Sequence, residues 1–150
     1  MSDKGGVEKR SCVRFKIPGA TVSYKTEKFF SAAQNQDYGE EFSPLLDISR
    51  GGILFICQQK LKPDSRLYLK ISIPGERFPL KLKGIIRRVT PNPGKSYKYQ
   101  IGIQFLPYGE KKDQNYLGNL VKIISLEQKF ASEEDNQMNE SAKGDFEVDG

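Results

Sequence analysis

The chain has 150 residues, 37% of them hydrophobic, which suits one domain with its own core rather than two. With 29% charged residues, a polar start from Met1 to Arg10 and no apolar stretch of bilayer length, it carries neither a membrane helix nor a signal peptide, so a soluble cytoplasmic protein is expected. The net charge of +5 divides unevenly: Ser132 to Gly150 holds seven acidic residues against Lys143, leaving Met1 to Ala131 with 23 basic and 12 acidic residues and a preference for an anionic partner.

Residues 1–17 are polar and basic, include Gly5 and Gly6, and show no helical or strand period; they read as a flexible basic arm. From residue 18 the signals are those of strands, short runs of Val, Ile, Leu, Phe and Tyr punctuated by Pro-Gly, Pro-Asp, Gly-Gly and Pro-Asn-Pro-Gly. The expected strands are Ala20 to Tyr24, Phe42 to Ile48, Gly52 to Cys57, Arg66 to Ile73, Phe78 to Val89 and Tyr97 to Phe105. Several alternate, as in Arg66-Leu67-Tyr68-Leu69-Lys70-Ile71, which puts the apolar side chains on one face. Six such strands make a mainly β protein, a closed or nearly closed antiparallel barrel. Lys25 to Glu41 has no clear period and reads as an inserted loop or short irregular helix. After Pro107 the period becomes helical: Leu117, Leu120, Val121 and Ile124 fall at i, i+3, i+4 and i+7 within about Glu110 to Phe130, predicting an amphipathic helix that closes the barrel. The barrel and helix thus occupy residues 18–131, and residues 132–150 read as an acidic disordered tail.

The chain contains no histidine, so the usual general base and the commonest metal ligand are missing, and Ser-His or Cys-His catalysis cannot be assembled. The acidic residues cluster in the insertion and the tail, where solvation is the ordinary reason for them. Pro93-Gly94-Lys95-Ser96 ends like a phosphate-binding loop, but Val89 stands where the earlier glycine is required and a strand follows. Cys12 and Cys57 match no metal spacing and are expected to be free thiols. The expectation is a protein that is not an enzyme and holds no metal or cofactor.

Two segments carry more specific chemistry. The first is Lys9-Arg10-Ser11-Cys12-Val13-Arg14, with two arginines four apart, which face the same way in an extended arm and stack in a helical turn. Guanidinium matches phosphate and the O6/N7 edge of guanine with two hydrogen bonds, and its flat face stacks on a base. The second is Asp47-Ile48-Ser49-Arg50-Gly51-Gly52, at the junction of two expected strands. Its aspartate can accept from the N1 and N2 donors of guanine, its serine offers a small hydroxyl, and its glycines let the backbone turn tightly and approach a ligand. Taken singly, the first is equally a solubilising basic arm and the second a plain hairpin turn.

In this order, flanking a first strand, the two segments resemble the paired signature of the PilZ family: RxxxR at Arg10 and Arg14, then D/NxSxxG at Asp47, Ser49 and Gly52. The likeness covers about Lys9 to Phe130, through Arg14-Phe15, Gly52-Ile53-Leu54-Phe55, the strand Tyr99 to Phe105 and the helix after it. The resemblance implies a six-stranded antiparallel barrel with a C-terminal helix. It further implies that the chain is a receptor for the bacterial second messenger cyclic di-GMP. Arg10 and Arg14 would meet phosphates and guanine edges, Lys9 would add a positive charge, and Asp47, Ser49 and Gly52 would hold the ligand on the barrel. Binding would order the arm and create a surface for a protein partner. The alternatives are an adaptor that ignores the nucleotide, or a basic barrel for single-stranded nucleic acid, which would want outward aromatics where this chain carries Lys, Arg and Ser.

Overall fold

Strand alternation in the sequence becomes an inside and an outside of the barrel. The computed structural model describes residues 13–26 and 42–131, and in it the run RLYLKIS buries Leu67, Leu69 and Ile71 completely or nearly so, while Arg66, Tyr68 and Lys70 face out. The strands are β1 (Thr21–Thr26), β2 (Ser43–Ser49), β3 (Gly52–Cys57), β4 (Arg66–Ser72), β5 (Leu80–Pro91) and β6 (Tyr99–Phe105). They close into a barrel in the order β1-β2-β3-β6-β5-β4, every neighbouring pair antiparallel. The six expected strands are all present, with ends moved by at most two residues. One core fills the interior, with Val22, Ile48, Phe55, Leu69, Ile86 and Ile101 among its buried residues.

Helix α1 (residues 117–131) follows. It begins later than the expected Glu110, because Asn115 holds the preceding segment in a loop. The Asn115 side chain accepts from Lys83 N at 2.7 Å and donates to the carbonyls of Lys83 and Leu106 at 3.0 and 2.9 Å, so it acts as a stop between β6 and the helix. The helix does pack on the barrel, through Ile123 and Leu126, both in the core cluster. The expected face is turned only partly inward, however, with Leu120 and Ile124 half-buried. Leu117 and Val121 are 48% and 66% exposed. The helix is apolar on two sides, and the inward side is the one whose residues reach the barrel interior.

The start of the chain also differs from expectation. Of the arm expected over residues 1–17, Phe15 and Ile17 are buried in the core. Phe15 exchanges two 2.9 Å backbone hydrogen bonds with Ile48, so the barrel begins at Phe15 and not at residue 18. Residues 1–12, most of the Lys25 to Glu41 insertion and the acidic tail lie outside the described residues; Lys25 and Thr26 belong to β1. Cys57 is a buried free thiol whose Sγ–H donates to the carbonyl of Gln59, whereas Cys12 lies outside the described residues. Among the described residues, no helix is long and apolar enough to cross a membrane, and no cluster of three or more His, Cys, Asp or Glu could hold a metal ion.

Candidate functional site

The Phe15–Ile48 bridge decides the geometry of the site. The antiparallel bridge puts Arg14 opposite Ser49 and Lys16 opposite Asp47, so Arg14 reaches Asp47 on the diagonal: Nη1 lies 3.8 Å from Oδ1. The two sequence segments meet here although a strand and the insertion separate them along the chain. Arg14 keeps 64% of its side chain in solvent while Asp47 keeps 22%, so the pair has an accessible cation over a half-sheltered carboxylate. Burial pushes the Asp47 carboxyl above the ordinary aspartate range, and the positive charges of Arg14, Lys16 and Arg88 partly oppose that rise.

A cleft of about 560 Å³ opens at this point, lined by Arg14, Asp47, Ser49 and Gly52 from the two segments. Four of the six expected contact residues therefore share one cavity. The other two, Arg10 and Lys9, lie outside the described residues. Ser49 is buried, and its hydroxyl oxygen accepts from Gly51 N at 3.2 Å, which braces the turn it precedes. Gly52 acts differently from the expected tight turn, since the left-handed backbone angles of the described glycines fall at Gly19, Gly75 and Gly94. A Cβ at Gly52 would land on the carbonyl oxygen of Ile103, so the missing side chain is what allows β3 to approach β6. The close approach is to a neighbouring strand.

Arg50, between the motif residues, has a structural task. Its Nε and Nη2 donate to the two carboxylate oxygens of Glu127 at 3.1 Å each, and Tyr108 Oη–H donates to the Arg50 carbonyl at 2.6 Å. The turn is thereby fastened to α1. Burial raises the Tyr108 hydroxyl above its ordinary range.

The far wall of the cleft comes from residues the sequence motifs do not include: Arg87 and Arg88 on β5, and Gly102 and Gln104 on β6. A register shift between Ile86 and Arg88 makes Arg87 the extra residue of a β-bulge. Both arginines are consequently exposed, where plain alternation would have turned one inward. The sequence signal was the pair of adjacent arginines in an otherwise alternating strand. The cleft is thus lined by one carboxylate and three guanidiniums, of which Arg87 is held by Gln104 and Asp64, a set that suits a polyanionic ligand with hydrogen-bond donors on its ring.

A family model described as the PilZ domain matches residues 8–122. A search of curated protein sequences finds no match. Among solved structures, the chain is similar to "PilZ domain with c-di-GMP of YcgR from Escherichia coli", at 11% identity and a TM-score of 0.57, covering 87% of this chain and 98% of that one. It is also similar to the Bacillus subtilis inhibitor of motility (MotI/DgrA), at 19% identity and a TM-score of 0.56, covering 85% of this chain and 52% of that one. A third is the K. pneumonia MrkH–c-di-GMP complex, at 17% identity and a TM-score of 0.55, covering 84% and 54%. The chain spans about half the length of MotI and of MrkH. At these identities the structural likeness speaks for the fold, while the family match covers most of the chain, bridge, turn and barrel included, and this chain belongs to the PilZ domain family.

Proposed function

We propose that this protein is a cyclic di-GMP receptor whose ligand sits in the cleft between Arg14 and the Asp47–Gly52 turn. The observation that carries the reading is the Phe15–Ile48 bridge, which sets the arginine of one motif 3.8 Å from the aspartate of the other on the rim of one cavity. In this reading Arg14 binds a phosphate or the O6/N7 edge of guanine, Arg10 supplies a second guanidinium, and Lys9 adds charge. Asp47 accepts from guanine N1 and N2, Ser49 keeps the turn in shape, and Gly52 lets β3 lie close to β6. Two of the structural neighbours, the PilZ domain of YcgR and MrkH, are described as structures with this nucleotide, which supports the choice of ligand. Binding fixes the segment around Arg10 against the barrel, and a protein partner reads the surface so formed. The role is that of a receptor or adaptor rather than an enzyme, in the cytoplasm where the messenger is made.

The test is calorimetric titration of the full chain with cyclic di-GMP, GTP and a short single-stranded oligonucleotide. Binding of the first alone is expected, and Arg14→Ala should weaken it by about 2 to 4 kcal/mol, the scale for losing a charge-assisted bidentate contact. An unresponsive wild type, or a variant of wild-type affinity, overturns the reading.

A further inference from the structure

Two adjacent arginines reach the same cleft from β5, and they are not equivalent. Arg87 is committed within the protein: its Nε donates to Gln104 Oε1 at 2.7 Å, and its Nη1 lies 3.5 Å from Asp64 Oδ1. Arg88 is exposed and bears on the cleft instead, where its positive charge is one of those that act on the Asp47 carboxyl. Across the sheet, Arg88 pairs with Gly102, which has no side chain to compete for the space. A Cβ added at Gly102 would lie 3.5 Å from Arg88 Cβ and 3.9 Å from its Nε, so the arginine stem runs over the bare backbone of β6. The bulge at Arg87 is what brings Arg88 outward at this level of the barrel.

We infer that Arg88 is a ligand-binding residue outside the two sequence motifs, forming the wall opposite Arg14, so that a dinucleotide is held between guanidiniums from two sides of the cleft. The inference rests on the cyclic di-GMP reading above and deepens it. The chemistry is that of paired charges: a ligand with two phosphodiesters carries two separated negative charges, and Arg14, with Arg10 and Lys9 in the reading above, offers cations from the motif side of the opening. Arg88 supplies a cation from β5, a rigid strand whose position the barrel fixes before ligand arrives. Arg87 orients the bulge through Gln104 and Asp64 and stays out of contact with the ligand. The division of labour between neighbours in sequence is the distinctive expectation, because a general attraction of the basic surface would treat the two arginines alike.

Calorimetric titration of the full chain with cyclic di-GMP distinguishes these outcomes. Arg88→Ala should weaken binding at least about tenfold, and Arg87→Ala by less than about threefold, the loss of one charge-assisted contact being the larger effect. Arg88→Gln, close in size and uncharged, should behave as Arg88→Ala, with thermal unfolding of each variant showing that the barrel is intact. In the wild-type chain, the Nε–Hε signal of Arg88 in a nitrogen-15 NMR spectrum should shift on saturation with the nucleotide, a readout that needs no variant. Wild-type affinity in Arg88→Ala together with loss of binding in Arg14→Ala would overturn the inference and leave the proposed function standing, as would equal losses from Arg87→Ala and Arg88→Ala. A wild-type chain that does not bind would overturn both.

Discussion

In the proposed receptor, Asp47 is the residue where stability and binding pull in opposite directions. Its carboxyl is raised because burial disfavours the charged form more than Arg14, Lys16 and Arg88 favour it. A carboxyl raised in the folded state binds more protons folded than unfolded, so this group's contribution to stability falls as pH rises through its two values. At neutral pH the charged Asp47 therefore costs the free protein stability. Asp47→Asn, of the same size and uncharged, should raise the melting temperature of the free protein at neutral pH. It should also lose about 2 kcal/mol or more of cyclic di-GMP binding, because an amide presents a donor where guanine N1 and N2 also donate. Thermal unfolding and titration of the same preparation check both halves, and a lower melting temperature would show that the Arg14 pair outweighs the burial. Acidification from neutral should weaken nucleotide binding by wild type, as Asp47 takes up its proton, and leave the variant's residual binding flat.

Among the elements, α1 shows what periodicity in the sequence can and cannot decide. That a helix follows Pro107 was legible, since the i, i+3, i+4, i+7 spacing of Leu117, Leu120, Val121 and Ile124 fits no strand. Which side faces the barrel was not, because Ile123, Leu126 and Phe130 form a second apolar side and the choice between the two is made by the docking contacts. Those contacts are Arg50 on Glu127, Asn119 Nδ2 donating to the Lys81 carbonyl, and the Lys122–Glu76 ion pair, all with residues distant in sequence. The expected consequence is a sharp asymmetry between neighbours on the helix. Ile123→Ala, at a fully buried position, should cost about 2 to 5 kcal/mol of stability in chemical denaturation. Val121→Ala, at a position 66% exposed, should change it by about 0.5 kcal/mol or less. Equal costs would mean that the outer side is covered in solution. The same limit explains β5: the strand was legible from its alternation, and the adjacent arginines interrupt that alternation, but the bulge that turns Arg87 and Arg88 out together depends on the register with β6. The two motifs were legible as residues. The close strand approach that needs Gly52, and the clamp of Arg50 on Glu127, belong to pairings formed only by the closed barrel.

For the whole molecule, the barrel acts as the frame that brings one motif to the other, and the junction between frame and arm is Phe15. Its side chain is in the core and its backbone is bonded to Ile48 in both directions, so this residue is part of the frame before ligand arrives. Any change that cyclic di-GMP imposes at the start of the chain must therefore lie before the bridge. The proposed receptor mechanism then makes a position-specific prediction for amide hydrogen exchange with and without the nucleotide. The amides of Phe15 and Ile48 should be slow to exchange in the free protein and nearly unchanged on binding, since both already donate to backbone carbonyls at 2.9 Å. Protection should rise at residues 9–14, where the ligand joins Arg10 and Arg14 to the barrel, and around residues 47–52, whose turn it covers. The core strands β4 and β5 should stay as they were, apart from the bulge at Arg87 and Arg88. A partner would then distinguish bound from free protein by the segment before Phe15 and by the nucleotide itself, and a rigid barrel would suffice for signalling. Uniform protection across all six strands would indicate that the ligand tightens the whole barrel, and unchanged exchange at residues 9–14 under saturating nucleotide would remove the arm from the mechanism while leaving the cleft as the site.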